Sequence, residues 1–311
     1  MQEDDIMAPQ KTITPAAWVG LFAMGFLWGW SFLAVAILIR ELPVTWIVAG
    51  RVSIAALVLW AYVLLKGLPV PPLSRYIWRF VLVGSITSAV PFLLISWAQH
   101  HIPSGLAGIL NASTAIFGVL FAALIFADEK LGLRKGTGVA LGVSGIITVI
   151  GPEALKSFDL TSLGQLTMIA ATMCYGLSNS VGRVLLSDLR PEVAAAGMLT
   201  GAALLALPVA LIGSGLPPLS LQPETLGALL YLAVMSTSLT YIIYYKVIKV
   251  AGAGNTSLTT LIVAPVSIAL GALVLGESLS AQAYLGFGLI ALGLLVIDGR
   301  VLRRLRGRNA T

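Results

Sequence analysis

Charge is scarce in this sequence. Asp, Glu, Lys and Arg together make up 10% of 311 residues, against about 25% in an ordinary soluble domain. Cysteine is nearly absent: Cys174 stands alone in an apolar stretch. No disulfide within the chain is therefore possible, and no metal site is suggested. Asp, Glu and His are missing from the middle of every long apolar run, where proton- and sodium-driven carriers commonly keep one. The sequence also contains no Walker A loop, no HExxH, no GxSxG and no Ser/His/Asp set. Neither ATP drive nor hydrolysis is suggested, and the chain is expected to be no enzyme and to need no cofactor. A basic leader is lacking too. The start, MQEDDIMAPQK, is acidic, so no secretory signal peptide is expected.

What is present is hydrophobic bulk, at 58% of residues. A chain this apolar cannot hide its side chains in one globule, because surface shrinks too slowly with size. Lipid must be its solvent. A helix needs about 20 apolar residues to cross the hydrocarbon core. Such runs occur at 17–39, 44–65, 77–98, 104–126, 136–151, 163–186, 192–213, 224–247, 254–275 and 281–299. The fold class expected is an all-α polytopic membrane protein with ten spans. Short links rich in Pro, Gly or charge separate them: RELP, KGLPVPPLSR, DEKLGLRK and GSGLPPLSLQP.

Lys and Arg fall overwhelmingly on one side of that arrangement. Lys11, Lys66, Arg75, Arg79, Lys130, Arg134, Lys135, Arg183, Arg190, Lys246, Lys249 and the tail RVLRRLRGR share it, whereas Arg40 and Lys156 lie on the other. The positive-inside rule then places both termini in the cytoplasm. The net charge of +6 is thus accounted for by topology, and no nucleic acid partner is expected. The tail is read as an orientation anchor meeting anionic lipid, with a specific lipid-binding patch as the other reading.

The second half echoes the first at an offset of about 148. FADEKLGLRKGTGVALGVSGIITVI (126–150) aligns with LGESLSAQAYLGFGLIALGLLVID (275–298), so Glu129 falls on Glu277, Gly138 on Gly286 and Gly145 on Gly293. Pro43 and Pro191 each open a span, and WGWS (28–31) falls on YGLS (175–178). Each half holds five spans. An odd number makes the halves enter the membrane in opposite senses, an inverted repeat of the kind that supports alternating access. The expected organisation is a cytoplasmic segment 1–16, a first five-helix repeat 17–151 and an external linker 152–162. A second five-helix repeat, 163–299, and a basic cytoplasmic tail, 300–311, complete it.

These motifs resemble a known family. The paired Glu–Leu–(Gly-x6-Gly) segments, the aromatic-Gly-x-Ser opening each half and RVSIAALVL with its Arg are similar to the EamA branch of the drug/metabolite transporter superfamily. Within it the chain is most similar to bacterial exporters of aromatic amino acids. The resemblance implies an inner-membrane secondary transporter that exports amino acids, aromatic ones first, by alternating access. Its partners would be a small-molecule substrate and the bilayer. The sequence leaves the oligomeric state open, and a monomer is compatible with it. The second copy departs from the pattern, with Met198 for the Arg and Tyr175 and Leu177 for the tryptophans, so any role of Arg51 is not duplicated.

Polar atoms facing lipid are costly, so a polar stripe marks either a path or a packing face. In span 4, Ser104, Ala107, Gly108 and Asn111 share a face, and in span 9 Gly252, Asn255, Thr256 and Thr259 do. Span 8 stacks Thr237, Thr240, Tyr241 and Tyr244, and span 3 aligns Ser88, Phe92 and Gln99. Pro91 and Pro265 are expected to bend their helices. Tyr245 and Trp97 read as interfacial belt aromatics.

Trp28 and Trp30 lie about 200° apart on a helix. Trp28, Ser31, Tyr175, Ser178 and Asn179 are therefore assigned to an aromatic-lined cavity, and Trp30 to packing or lipid. Gly29, Gly176, Gly138 and Gly286 are read as packing glycines. Arg51 is the one cation well inside a span. Either it meets a substrate carboxylate bidentately, or it is structural and satisfies neighbouring carbonyls. Glu129 and Glu277 read as caps of helix ends, with ion coupling the other role.

Substrate path residues expected are thus Trp28, Ser31, Arg51, Ser88, Phe92, Asn111, Tyr175, Ser178, Asn179, Thr240, Tyr241, Tyr244, Asn255 and Thr259. Other solutes in the same scaffold, such as a drug cation, a purine or a sugar phosphate, and a channel-like facilitator, are the competing readings. A sugar phosphate would call for more cavity cations than Arg51.

Overall fold

The computed structural model describes residues 14–126, 131–157, 160–218, 220–251 and 259–299. The N-terminal segment, the basic tail, Glu129, Gly252, Asn255 and Thr256 lie outside the described residues. Every regular element described is helical. In chain order these are α1 (Pro15–Leu38), α2 (Val44–Leu65), α3 (Ile77–Ala98), α4 (Ser104–Ile125) and α5 (Leu133–Ser157). They continue with α6 (Leu160–Leu185), α7 (Pro191–Ser214), α8 (Pro223–Val247), α9 (Thr259–Leu275) and α10 (Ala281–Asp298). Eight of them are long and apolar enough to cross a membrane: all but α6 and α9, with α5 qualifying over Leu133–Gly151.

Local chemistry sets the boundaries. Proline opens α1, α7 and α8 from within the first turn and immediately precedes α2 and α4. There its missing N–H goes unnoticed, because the first helical amides have no intrahelical acceptor. The Thr14 side chain accepts from Ala17 N and the Ser280 side chain from Ala283 N. At the far end Gly299 (φ 72°) closes α10 in the left-handed region that glycine tolerates.

Four helices are not uniform. α5 is kinked at Gly151, whose φ of 77° and ψ of 159° lie outside the helical range. α3 widens into a π-helical stretch at Ser85–Ala89, and α8 does the same at Tyr231–Leu239. These stretches overlap under the offset of about 148. α4 breaks at Ala112 and Ser113. In α3 the π stretch precedes Pro91, whose ring and missing N–H disturb the preceding turn. α8 has no proline there. Its hydroxyls take over the loosened carbonyls instead: Thr237 donates to Leu232 O at 2.7 Å, Ser238 to Ala233 O at 2.8 Å and Thr240 to Met235 O at 2.8 Å. Pro265 lies within α9, which runs through it without a break.

The helices pack as α1 on α9, α4 on α6, α3 on α7, α2 on α8, α3 on α6 and α1 on α8. Three further pairs join α2 to α7, α4 to α9 and α5 to α10. Exchanging each helix with the one five places on maps these nine most extensive contacts onto one another; smaller contacts join α4 to α1, α5 and α10, and α5 to α6. Glycines carry the closest approaches. A Cβ on Gly138 would lie 2.7 Å from Gly293 O, and one on Gly286 would lie 2.8 Å from Gly145 O. Gly29 meets Val263 O and Val266 on α9, while Gly176 meets Phe117 and Gly118 on α4.

Candidate substrate-binding site

Arg51 sits on α2 and is 8% exposed. Its Nε donates to Thr237 Oγ1 at 2.9 Å, and its Cζ lies 3.6 Å from the centre of the Phe92 ring. The phenols of Tyr175, Tyr241 and Tyr231 lie within electrostatic reach. Among the described residues no carboxylate pairs with this guanidinium. The two π-helical stretches create the setting. Thr237, already donating to Leu232 O, accepts from Arg51 on an oxygen lone pair. Phe92, one turn past the α3 π stretch, supplies the ring face. Arg51 is thus a buried cation lying on an aromatic face with its Nε hydrogen-bonded.

The expected path residues fall into three groups. Phe92 contacts Tyr175 edge-on at 6.5 Å between ring centres, which joins α3 to α6 beside Arg51. Trp28 and Tyr244 lie 6.3 Å apart, Tyr244 and Tyr245 5.4 Å, and Tyr241 and Tyr245 6.2 Å. Tyr245 thus joins this ring cluster through neighbours on its own helix. The Trp28 indole N–H donates to Ser236 O at 3.1 Å, a carbonyl of the α8 π stretch. Ser88, buried in the α3 π stretch, lies beside the Tyr241 phenol. Under the offset of about 148 it corresponds to Ser236.

A second group is hydrogen-bonded within its own helices or exposed. The Ser31 hydroxyl donates to Trp28 O, and Ser178 donates to Tyr175 O at 2.9 Å. The two serines therefore use their protons on their own helices in the same way. Thr240, fully buried, donates within α8. Trp28 and Tyr175 are not in ring contact with each other, because each is flanked by a different aromatic set. Asn179 is exposed beside Gly118 of α4.

The third group comprises Asn111, Thr259 and Asn255. Asn111 is half-buried at the end of the first segment of α4, just before the break. Thr259 is buried at the start of the described part of α9. Asn255 falls outside the described residues.

Sequence reasoning missed Tyr231. Its hydroxyl donates to Leu27 O at 2.9 Å and its ring lies 6.1 Å from Trp30. Tyr231 also lines a crevice of ≈ 600 Å³ with Phe26, Trp30, Met235, Glu224 and Val274. This crevice lies on the Trp30 side of α1, so Tyr231 stands between it and Arg51. The signal available was its place at the head of the Ser/Thr-rich stretch of α8. Outside the spans, Tyr76 and His100 respond to their surroundings. A hydrogen bond to Asp188 pushes the Tyr76 phenol up, and partial burial followed by the neighbouring His101 pushes His100 down.

Long apolar helices and a duplicated packing pattern form the frame of a polytopic membrane protein. The EamA-like transporter family model matches twice, over residues 16–151 and 162–298, and the chain belongs to that family. It is similar to the uncharacterized transporter YoaV of Bacillus subtilis, 19% identical over 89% of this chain and 95% of that one. It is also similar to the uncharacterized inner membrane transporter YedA of Escherichia coli, 24% identical over 89% of each. The "Probable terminal-alkyne amino-acid exporter" of Streptantibioticus cattleyicolor is 27% identical over 76% of this chain and 77% of its own length. One solved crystal structure superposes with a TM-score of 0.66 at 19% identity, covering 94% of this chain and 99% of the other.

Proposed function

We propose that this transporter exports amino acids, aromatic ones first, across a bacterial inner membrane by alternating access. The observation that carries this reading is Arg51, a buried guanidinium with no carboxylate partner among the described residues, stacked on Phe92 and ringed by phenols. A substrate carboxylate would complete the Arg51 pair, and the Trp28–Tyr244–Tyr245–Tyr241 rings would receive an apolar or aromatic side chain. A drug cation would meet like charge at Arg51. A sugar phosphate would meet one cation where it needs several.

The mechanism rests on two inverted five-helix halves, 17–151 and 163–299, joined by an external linker at 152–162 and contributing ten spans. The exchange symmetry of helix pairs and the matched π stretches in α3 and α8 support it. Lys66, Arg75, Arg79 and Arg190 share one end of the bundle, which supports a cytoplasmic location for that end and both termini. Coupling needs no buried carboxylate, so the carrier works down its solute gradient.

Purified protein in liposomes, offered a panel of labelled amino acids, tests this. Saturable counterflow of aromatic amino acids is expected, weakened in Trp28→Ala and Tyr241→Ala. Unsaturable flux would point to a channel. Accumulation driven by a pH gradient alone would overturn the uncoupled mechanism, and unchanged transport in both variants would remove the aromatic chamber.

A further inference from the structure

Three carboxylates at helix ends each hold the start of a helix in the other half. Glu277, just past α9, accepts from Ser104 N at 2.8 Å through Oε1, and from Gly105 N at 2.9 Å and the Ser104 hydroxyl at 3.0 Å through Oε2. Those are first-turn amides of α4, which have no acceptor within their own helix. Glu41, past α1, accepts from Gln222 N at 3.2 Å and from the Thr225 hydroxyl, at the start of α8. Asp188, past α6, accepts from the Tyr76 hydroxyl at 2.8 Å and faces Arg79 Nη1 at 3.6 Å, at the start of α3. Chain alternation puts Glu41 and Glu277 at one end of the bundle and Asp188 at the other. Glu41 and Asp188 correspond under the repeat at an offset of about 147, as do the helices they hold, α8 and α3.

The Glu277 tie is shaped for its place. A Cβ on Gly271 would lie 2.3 Å from Oε2, so glycine there lets the carboxylate lie against α9. Glu277 N in turn donates to Gly271 O at 3.0 Å, which fixes the turn that presents the side chain. The tie is also reversible in a way that apolar packing is not. When a carboxylate lifts off helix-end amides at a mouth, water replaces each hydrogen bond it gave up. Side chains interdigitated in a core have no such substitute.

We propose that Glu277 and Glu41 form a clasp that closes one mouth of the transporter and opens in every cycle. The proposal rests on the alternating-access part of the reading above and is independent of the substrate. Opening releases the α4 and α8 starts from the other half, and closing re-engages five donors, through six hydrogen bonds, across the two halves.

Two measurements on the full chain, in a Cys174→Ala background, test the clasp. In the first, Ser104→Cys and Glu277→Cys are joined by a short, reducible bis-methanethiosulfonate bridge in proteoliposomes. Uptake is expected to fall more than about tenfold and to return on reduction. Full transport through the bridged protein would overturn the proposal. In the second, Asn111→Cys reports access to the centre for a membrane-impermeant thiol reagent added from the Glu277 side. Glu277→Gln keeps the shape and removes the charge, and labelling is expected to quicken about tenfold, equivalent to about 1.4 kcal/mol in the closed–open balance. Unchanged labelling would sink the clasp. Should Glu277→Gln fail to fold, Thr225→Val loosens the Glu41 tie and is read the same way, with a rise of about threefold expected. Labelling needs no substrate. Faster labelling with no amino acid uptake therefore retains the clasp and removes only the proposed substrate.

Discussion

Arg51 makes two contacts that favour the folded state among the described residues. The bond from Nε to Thr237 Oγ1 contributes about 1 kcal/mol. The Phe92 face contributes about 1–2 kcal/mol at a desolvated site. Against these stands the cost of burying an unpaired cation, several kcal/mol. Arg51→Met fills a similar volume without the charge, so its stability is predicted to equal or exceed that of the native chain. Transport should respond in the opposite direction. A carboxylate held by a buried guanidinium gains about 2–3 kcal/mol from charge-assisted hydrogen bonds. At about 1.4 kcal/mol per tenfold, Arg51→Met should lower kcat/KM for an amino acid roughly 30- to 140-fold. The matching amino acid amide, which has no anion to lose, should change by less than about threefold. The assay is counterflow of acid and amide in proteoliposomes, with thermal unfolding in detergent alongside. A Met variant that melts well below the native protein yet transports the acid with undiminished kcat/KM would refute the reasoning and make Arg51 structural.

Trp28→Phe keeps a ring but loses the N–H that reaches Ser236 O. It should raise KM about fivefold, the equivalent of about 1 kcal/mol, and an unchanged KM would show that this bond does not position the ring. A Cβ on Gly84 would lie 2.0 Å from Met198 O. Gly84→Ala must push α3 off α7 and is expected to destabilise by about 1–3 kcal/mol, read as a lower melting temperature in detergent. His100 is held below its ordinary value near 6.5 by partial burial and by His101. The folded state then binds fewer protons than the unfolded one, so its disadvantage is absent above about pH 6.5 and grows as the pH falls. His100→Gln should flatten that acid-side decline in thermal stability, and an identical pH profile would contradict it.

The helix boundaries were legible because apolar length and punctuation are local. The runs at 44–65 and 77–98 coincide with α2 and α3, and the run at 281–299 ends one residue past α10. The duplication was legible in Glu129 and Glu277, and in Gly138 and Gly286. The site was less so. Pro91 marked the disturbance in α3, but the matching π stretch in α8 has no proline and depends on hydroxyls whose partners lie five residues back. Periodicity gave Glu277 a helix end to cap but not which one. The answer, Ser104 and Gly105, lies 173 and 172 residues away in sequence, a separation that only tertiary packing spans.

The seam between α5 and α10 has a mechanical consequence. Gly138, Gly142 and Gly145 face Gly286, Ile290, Gly293 and Ile297, so main chain rests against main chain along much of the contact. A contact between backbones has few side-chain rotamers to exchange, and it has one good register. One helix of the pair comes from each half. That register ties the two halves to each other through a seam that neither could build alone.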